Sequence, residues 1–165
     1  MWEPYAVMAA VLVVVAVLGM RATEIGPWYR ALVKPSWQPP DWVFGPVWTT
    51  IYVLITWSVG RVWPQLVGDQ RATLIVFIAV NLALNVAWSY LFFSARRPAW
   101  SLIEVVPLWL SILALMVYIG RFDPVAGALL LPYLAWVTVA AWLNLTIVRL
   151  NPNAHALVAD AAESA

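Results

Sequence analysis

Five long apolar stretches decide what this chain can become: Tyr5–Met20, Trp42–Val62, Ala72–Ser94, Trp100–Ile119 and Val125–Val148. Crossing about 30 Å of hydrocarbon takes roughly 20 such residues in a helix. A backbone inside lipid must satisfy its own polar groups, which a helix does within one segment. The residues between the stretches are too few for a water-facing domain. Only 10% of the 165 residues are charged and 64% are hydrophobic, where a soluble domain carries about 25% charged. The expected fold is therefore an all-α membrane protein, a bundle of five transmembrane helices. Residues 1–150 form this domain, with a structured loop at 21–41 and a flexible tail at 151–165. The first stretch, at 16 residues, leans on its neighbours or on a locally thinned bilayer.

Several functions are excluded by what the chain lacks. Cysteine is absent and the one histidine is His155 in the tail. Disulfides, thiolate catalysis and imidazole ligation inside the membrane are ruled out, so no metal site and no resident cofactor is expected. Net charge is +1 and the only paired basic residues are Arg96 and Arg97, which gives nucleic acid no electrostatic footprint. The N-terminus has an acidic Glu3 and no positive region before its apolar run. It reads as a retained first span rather than a signal peptide.

The first and third loops and the tail carry Arg21, Arg30, Lys34, Arg96, Arg97 and Arg149, against Arg61, Arg71 and Arg121 on the other side. The positive-inside rule puts the long first loop and the C-terminus in the cytoplasm and the N-terminus outside. That rule assumes insertion into an inner membrane, and a helical bundle is not what an outer membrane predicts.

Polar residues inside the spans mark where the bundle has an interior. Asn81 and Asn85 are four apart, with Trp88 and Ser89 continuing their face. An amide in hydrocarbon needs a partner, so this face points inward, either to join helices or to contact a ligand. Ala79, Ala83 and Ala87 line the opposite side and permit close approach of a neighbouring helix or of a second copy of the protein. Glu104 sits one turn into the fourth span, suited to the helix dipole or to the mouth of a cavity. On the fifth span Trp136, Ala140, Leu143 and Asn144 share a face, and mix a ring, a gap and an amide as a groove for a flat apolar ligand would. Pro132 lies within that span and is placed to kink it.

Twelve residues are tryptophan. Trp2, Trp28, Trp63, Trp100 and Trp42 suit the interfacial belt. Trp48, Trp57, Trp88, Trp109, Trp136 and Trp142 lie deeper, where indoles lining a bundle would stack on a planar conjugated molecule. The stretch WYRALVKPSWQPPDWVFGPVWTTIY, Trp28 to Tyr52, divides in two. Lys34, Pro35, Trp37, Pro39 and Pro40 belong to a proline-braced cap, and Trp48 and Tyr52 to the top of the second helix.

The segments WYRALVKPSWQPPDW, PVWTTIY, NLALNVAWSYLFF, ARRPAWSLIE and PYLAWVTVAAWLN, in this order on five spans, resemble the translocator protein family, also called the tryptophan-rich sensory or peripheral benzodiazepine receptor family, in its bacterial form. The resemblance covers about Trp28 to Asn151. It implies a homodimeric five-helix receptor with an apolar cavity opening toward the first loop, and porphyrins such as protoporphyrin IX, sterols or benzodiazepine-type molecules as ligands. By motif, Trp48 and Trp136 match paired tryptophans linked to porphyrin breakdown, Ala140 and Leu143 match fifth-helix lining positions, and Asn85, Trp88 and Trp100 match further lining positions. Glu104 matches a position that is acidic in relatives. The family's sterol motif needs a tyrosine before a basic residue, and LTIVRLN reaches Arg149 without one.

The implied ligand-binding set is Trp37, Trp48, Tyr52, Asn85, Trp88, Trp100, Glu104, Trp136, Ala140, Leu143 and Asn144. The leading expectation is porphyrin or tetrapyrrole binding with a sensory or regulatory role. Light- and oxygen-dependent porphyrin degradation, with Trp48 and Trp136 as the catalytic residues, is one alternative. Passive transport of porphyrin or lipid is another.

Overall fold

The computed structural model describes residues 2–23 and 25–152; His155 and most of the expected tail lie outside them. Seven α-helices follow in order: α1 Glu3–Ala22, α2 Pro27–Ala31, α3 Asp41–Val62, α4 Asp69–Ser89, α5 Pro98–Gly120, α6 Pro124–Ala128 and α7 Leu131–Leu150. A 3-10 turn, Trp63–Gln65, extends α3, and a π turn, Tyr90–Ser94, extends α4. Proline occupies the first turn of α1, α2, α5, α6 and α7. There its missing N–H removes no helical hydrogen bond.

Among the described residues, five segments are long and apolar enough to cross a membrane: Glu3–Ala22, Asp41–Gln65, Asp69–Ser94, Pro98–Gly120 and Pro124–Leu150. Their most apolar windows are only 17–28% buried. Most of each helix thus faces outward, and surfaces this apolar require lipid around them. The chain is an integral, multi-pass membrane protein.

The helices close into a ring. α1 packs on α3 and α4, α4 on α5, and α5 on α7, while α6 joins α5 and α3. The centre belongs to α5, whose Val105, Leu108, Ile112, Leu115 and Ile119 are all buried. Their alternating three-and-four spacing keeps one stripe on the interior. At the far end of α5 a β-carbon on Gly127 would lie 2.8 Å from Gly120 Cα and 2.9 Å from Met116 O, so α6 can dock there only as glycine.

Pro132 lies within the fifth span, Pro124–Leu150, and the interruption there is a break and not a smooth kink. The segment breaks at Leu129 and Leu130, and Pro132 falls in the first turn of α7. Pro132 has no N–H to give to Ala128 O, four residues earlier, so the helical ladder is interrupted at this point. Asp123 caps α6, its Oδ1 accepting from Val125 N at 3.0 Å and Ala126 N at 3.1 Å. This cap fixes where the one-turn helix begins.

Candidate functional site

The cap begins with α2, too short to persist alone. It is held by what it buries: Trp28, Tyr29 and Leu32 sink against Phe92 from the π turn and Leu143 and Ile147 from α7. Trp28 meets Phe92 edge-on at 6.3 Å and Tyr29 meets Phe93 at 5.4 Å. Phe92 in turn stacks on Trp88 at 5.4 Å with 19° between the planes. Each aromatic pair contributes about 0.5–1.5 kcal/mol beyond the area it buries.

Polar contacts lock the cap in place. Asn151 Oδ1 accepts from Val33 N at 2.9 Å, while Asn151 Nδ2 donates to Val33 O at 2.9 Å and to Ile147 O at 2.8 Å. Gln38 Nε2 donates to the Tyr29 hydroxyl at 3.3 Å, and Lys34 Nζ sits 3.8 Å over the Tyr29 ring. Burial, and then the charge of Asp41, push the Tyr29 phenol above its ordinary range despite the Gln38 bond. Tyr29 is therefore a neutral hydroxyl. Ser94 Oγ, donating to Ala22 O at 2.8 Å, ties the π turn to the end of α1.

Beneath the cap lies an aromatic and amide interior. Tyr133 OH donates to Asn81 Oδ1 at 3.3 Å and accepts from Asn85 Nδ2 at 3.2 Å. Asn81 Nδ2 donates to Ser111 Oγ at 2.8 Å, so one network spans α4, α5 and α7. Nearer the cap, the Asn144 amide is 2.8 Å from Ser101 Oγ. Turned with its oxygen to that hydroxyl, it also satisfies Leu102 N and Pro98 O at 3.0 Å each. Between these levels are polar atoms with no partner: both Glu104 oxygens and Trp88 Nε1 are buried and unbonded.

The α3 wall supplies Trp48, whose ring lies 5.6 Å from Tyr52 and 6.0 Å from Tyr133. Trp136 is engaged by Phe44 at 5.4 Å. The two tryptophans thus share the α3–α7 wall, each packed against rings other than the partner the sequence suggested. Two apolar grooves flank this wall. One, of about 640 Å³, runs between α1 and α3 past Tyr5, Leu12, Tyr52, Thr56 and Trp57. The other, of about 450 Å³, lies between α3 and α7 over Val47, Ile51, Pro132, Trp136 and Val139.

The candidate residues fall into distinct places. Asn85, Leu143 and Asn144 are buried, and Trp48, Tyr52, Trp88, Glu104, Trp136 and Ala140 are half-buried around the interior. Trp37 and Trp100 are 44% and 56% exposed, at the cap and the start of α5. Lys34, Pro35 and Pro39 are half-buried in the cap, while Pro40 is exposed and begins α3. Ala79 and Ala83 are exposed and Ala87 half-buried; the outer two of this stripe have no neighbouring helix over them. Sequence reasoning passed over Tyr133, Phe92, Phe93, Ser101 and Ser111. Tyr133 had a signal: a phenol deep in a span needs a partner, and Asn81 and Asn85 needed one too.

Comparison with known proteins agrees with this architecture. The model of the TspO/MBR family matches residues 6–150. The chain is 41% identical over 128 residues to Protein CrtK of Rhodobacter capsulatus, covering 77% of this chain and 80% of that protein. It is 42% identical over 126 residues to the tryptophan-rich sensory protein of Cereibacter sphaeroides, covering 76% and 78%. With the human translocator protein it shares 38% identity over 126 residues, 75% of each chain. Fold and comparisons together place the chain in the TspO/MBR family.

Proposed function

We propose that the protein binds porphyrins, protoporphyrin IX foremost, in the chamber beneath the cap, and serves a sensory or regulatory role in tetrapyrrole metabolism. The observation that carries this reading is the aromatic lining under a latched lid. Trp48, Tyr52, Trp88, Tyr133 and Trp136 belong to one packed aromatic cluster, and Trp88 also packs on the cluster that holds Trp28 and Tyr29. A flat conjugated ring is the ligand such walls stack against. Lys34 and Arg30 at the mouth give a porphyrin's propionates cationic partners while its macrocycle lies in the apolar part. The cap has to lift for entry, which fits a site gated by a short helix held through a few polar contacts.

In this reading the basic loops and the C-terminus face the cytoplasm of a bacterial cell membrane, and exposed Ala79 and Ala83 meet a second copy in a homodimer. The test is intrinsic tryptophan fluorescence during titration with protoporphyrin IX, haem and a sterol. Saturable quenching by porphyrin but not by sterol is expected, and no porphyrin response contradicts the proposal.

Light-dependent porphyrin degradation has one specific observation in its favour. Trp48, at 5.6 Å from Tyr52 and 6.0 Å from Tyr133, is close enough to exchange an electron with either ring beside an excited ligand. Catalytic loss of the porphyrin absorbance band under light and oxygen, with ligand in excess over protein, would separate turnover from binding.

A further inference from the structure

Seven residues of the chain are threonine. Thr23, Thr49, Thr50, Thr73, Thr138 and Thr146 each donate to the carbonyl four residues back, at 2.8–2.9 Å. That local bond is how a helical threonine hides its hydroxyl from an apolar surrounding. Thr56, in α3, is the exception, with no hydrogen bond to any residue among those described. It lines the groove of about 640 Å³ between α1 and α3. Tyr5 and Tyr52 line the same groove, and their hydroxyls also lack a partner among the described residues. Tyr29, Tyr118 and Tyr133 all have one. In hydrocarbon no water stands in for the missing bonds, so hydroxyls left open there are suited to an acceptor on a ligand.

The shape of the groove narrows the choice of ligand. Tyr5 rests its ring on Gly60, where a β-carbon would overlap it, and this ring marks one end. From there the groove follows α1 past Ala9 to Ala16, about 16 Å along the helix axis. Val13, Val53 and Trp57 on its walls are exposed, so it opens to lipid. None of its lining residues is charged, which leaves a lipid phosphate without a cation. A sterol carries one hydroxyl, which stays with water at the headgroup level. Thr56 and Tyr52 lie one and two helical turns below Gly60. A quinone ring brings two carbonyl acceptors and no donor, and its flat face stacks on aromatic rings.

We propose that the α1–α3 groove binds an isoprenoid quinone drawn from the membrane. Its ring lies at Thr56 among Tyr5, Tyr52 and Trp57, and its tail runs along Ala9 and Ala16. The Thr56 hydroxyl donates to one carbonyl and a tyrosine hydroxyl to the other. Tyr52 also meets Trp48, at 5.6 Å, but Thr56, Ala9 and Ala16 belong to the lipid-facing groove alone. The inference therefore stands without the porphyrin reading.

The experiment compares decylnaphthoquinone with decylnaphthalene, which has the same rings and tail and no carbonyl. Full-length protein in phosphatidylcholine nanodiscs is equilibrated with each, and bound probe is measured by mass spectrometry, with empty nanodiscs correcting for partition. Wild type should take up the quinone saturably and prefer it by about tenfold. Thr56→Val, which keeps the shape, should reduce that preference to about twofold, and Thr56→Ser, which keeps the hydroxyl, should retain it. Ala9→Trp should abolish saturable uptake, while Val76→Trp, at an exposed site on α4, should leave it unchanged. No saturable uptake of quinone, or equal binding of both probes by wild type, overturns the proposal. So does displacement of the quinone by cholesterol at lower concentration, which would give the groove to a sterol. The wild-type comparisons need no substitution, so misfolding of a variant leaves the question decidable.

Discussion

Asn151 holds Val33 by both backbone groups, accepting its N–H at 2.9 Å and donating to its carbonyl at 2.9 Å, across 118 residues of sequence. This is strand-like pairing made by one side chain, and it fastens the cap to the end of α7. Asn151→Ala removes these bonds and the one to Ile147, costing about 1–3 kcal/mol. Hydrogen exchange should accelerate across residues 28–35 and stay unchanged in α5. Unaltered exchange in the cap would mean that ring packing alone holds it.

Asp123 organises the opposite end of the bundle. It caps α6, pairs with Arg61 Nε at 2.6 Å and accepts from Gln65 Nε2 at 3.3 Å. The Ala126 N–H, and then the Arg61 charge, hold its carboxyl below the ordinary value of 3.8. A depressed acid contributes stability that is full above that ordinary value and is lost as pH falls through the folded one. The thermal midpoint should therefore be insensitive to this group from pH 7 to pH 5 and fall below about pH 4. Asp123→Asn should be less stable at pH 7 and show a shallower acid loss; an identical acid profile would contradict the assignment.

Two glycines are required by close approach. A β-carbon at Gly127 runs into the backbone of Gly120 and Met116, and one at Gly60 overlaps the Tyr5 ring. Gly45 has nothing within 4 Å. Gly127→Val should destabilise by about 1–3 kcal/mol through forced backbone movement, visible as a lower detergent-solubilised melting temperature. Gly45→Ala should be neutral or slightly stabilising. A Gly127→Val protein that melts like wild type would show that α6 docks more loosely than described.

The five spans were legible because apolar length alone specifies them, and Asn81 and Asn85 announced an inward face because an amide in lipid must find a partner. The break before α7 was less visible. A long apolar run hides a one-turn helix, although Asp123 followed by Pro124 is a cap-and-start signature. The Asn151 latch carried no signal at all, since it lies past the last span and depends on where a distant loop returns. The Trp48–Trp136 pairing came from the resemblance of their motifs to the family, and a motif does not say which neighbouring ring each indole will meet. Phe44, Tyr52 and Tyr133 lay closer.

Lys34 links the cap to the proposed ligand. Its ammonium rests on the Tyr29 ring at 3.8 Å, an interaction of about 0.5–1 kcal/mol at a partly exposed site. Lys34→Ala should weaken protoporphyrin IX binding a few-fold, and the difference from wild type should shrink in high salt. A salt-independent loss would point to cap disorder rather than to a lost charge contact.

The tryptophan pair separates binding from photochemistry. The double variant Trp48→Phe, Trp136→Phe keeps an aromatic ring at both places. It should retain porphyrin affinity within about threefold and lose light-driven bleaching if these indoles donate electrons. Equal bleaching with normal binding would remove both residues from any photochemical role.

Porphyrin bound as proposed lies within the bundle and not on the lipid-facing surface. Ala140, half-buried on the inward side of α7 one turn from Trp136 and Leu143, offers the direct test. Protein in nanodiscs is titrated with protoporphyrin IX as wild type, as Ala140→Trp and as Ile75→Trp, whose site is 54% exposed on α4. Helix content confirms folding of each. Saturable quenching should persist in wild type and Ile75→Trp and weaken by about tenfold or more in Ala140→Trp, where the new indole fills the ligand's place. Equal saturable binding by all three, or quenching that never saturates, would contradict a site within the bundle.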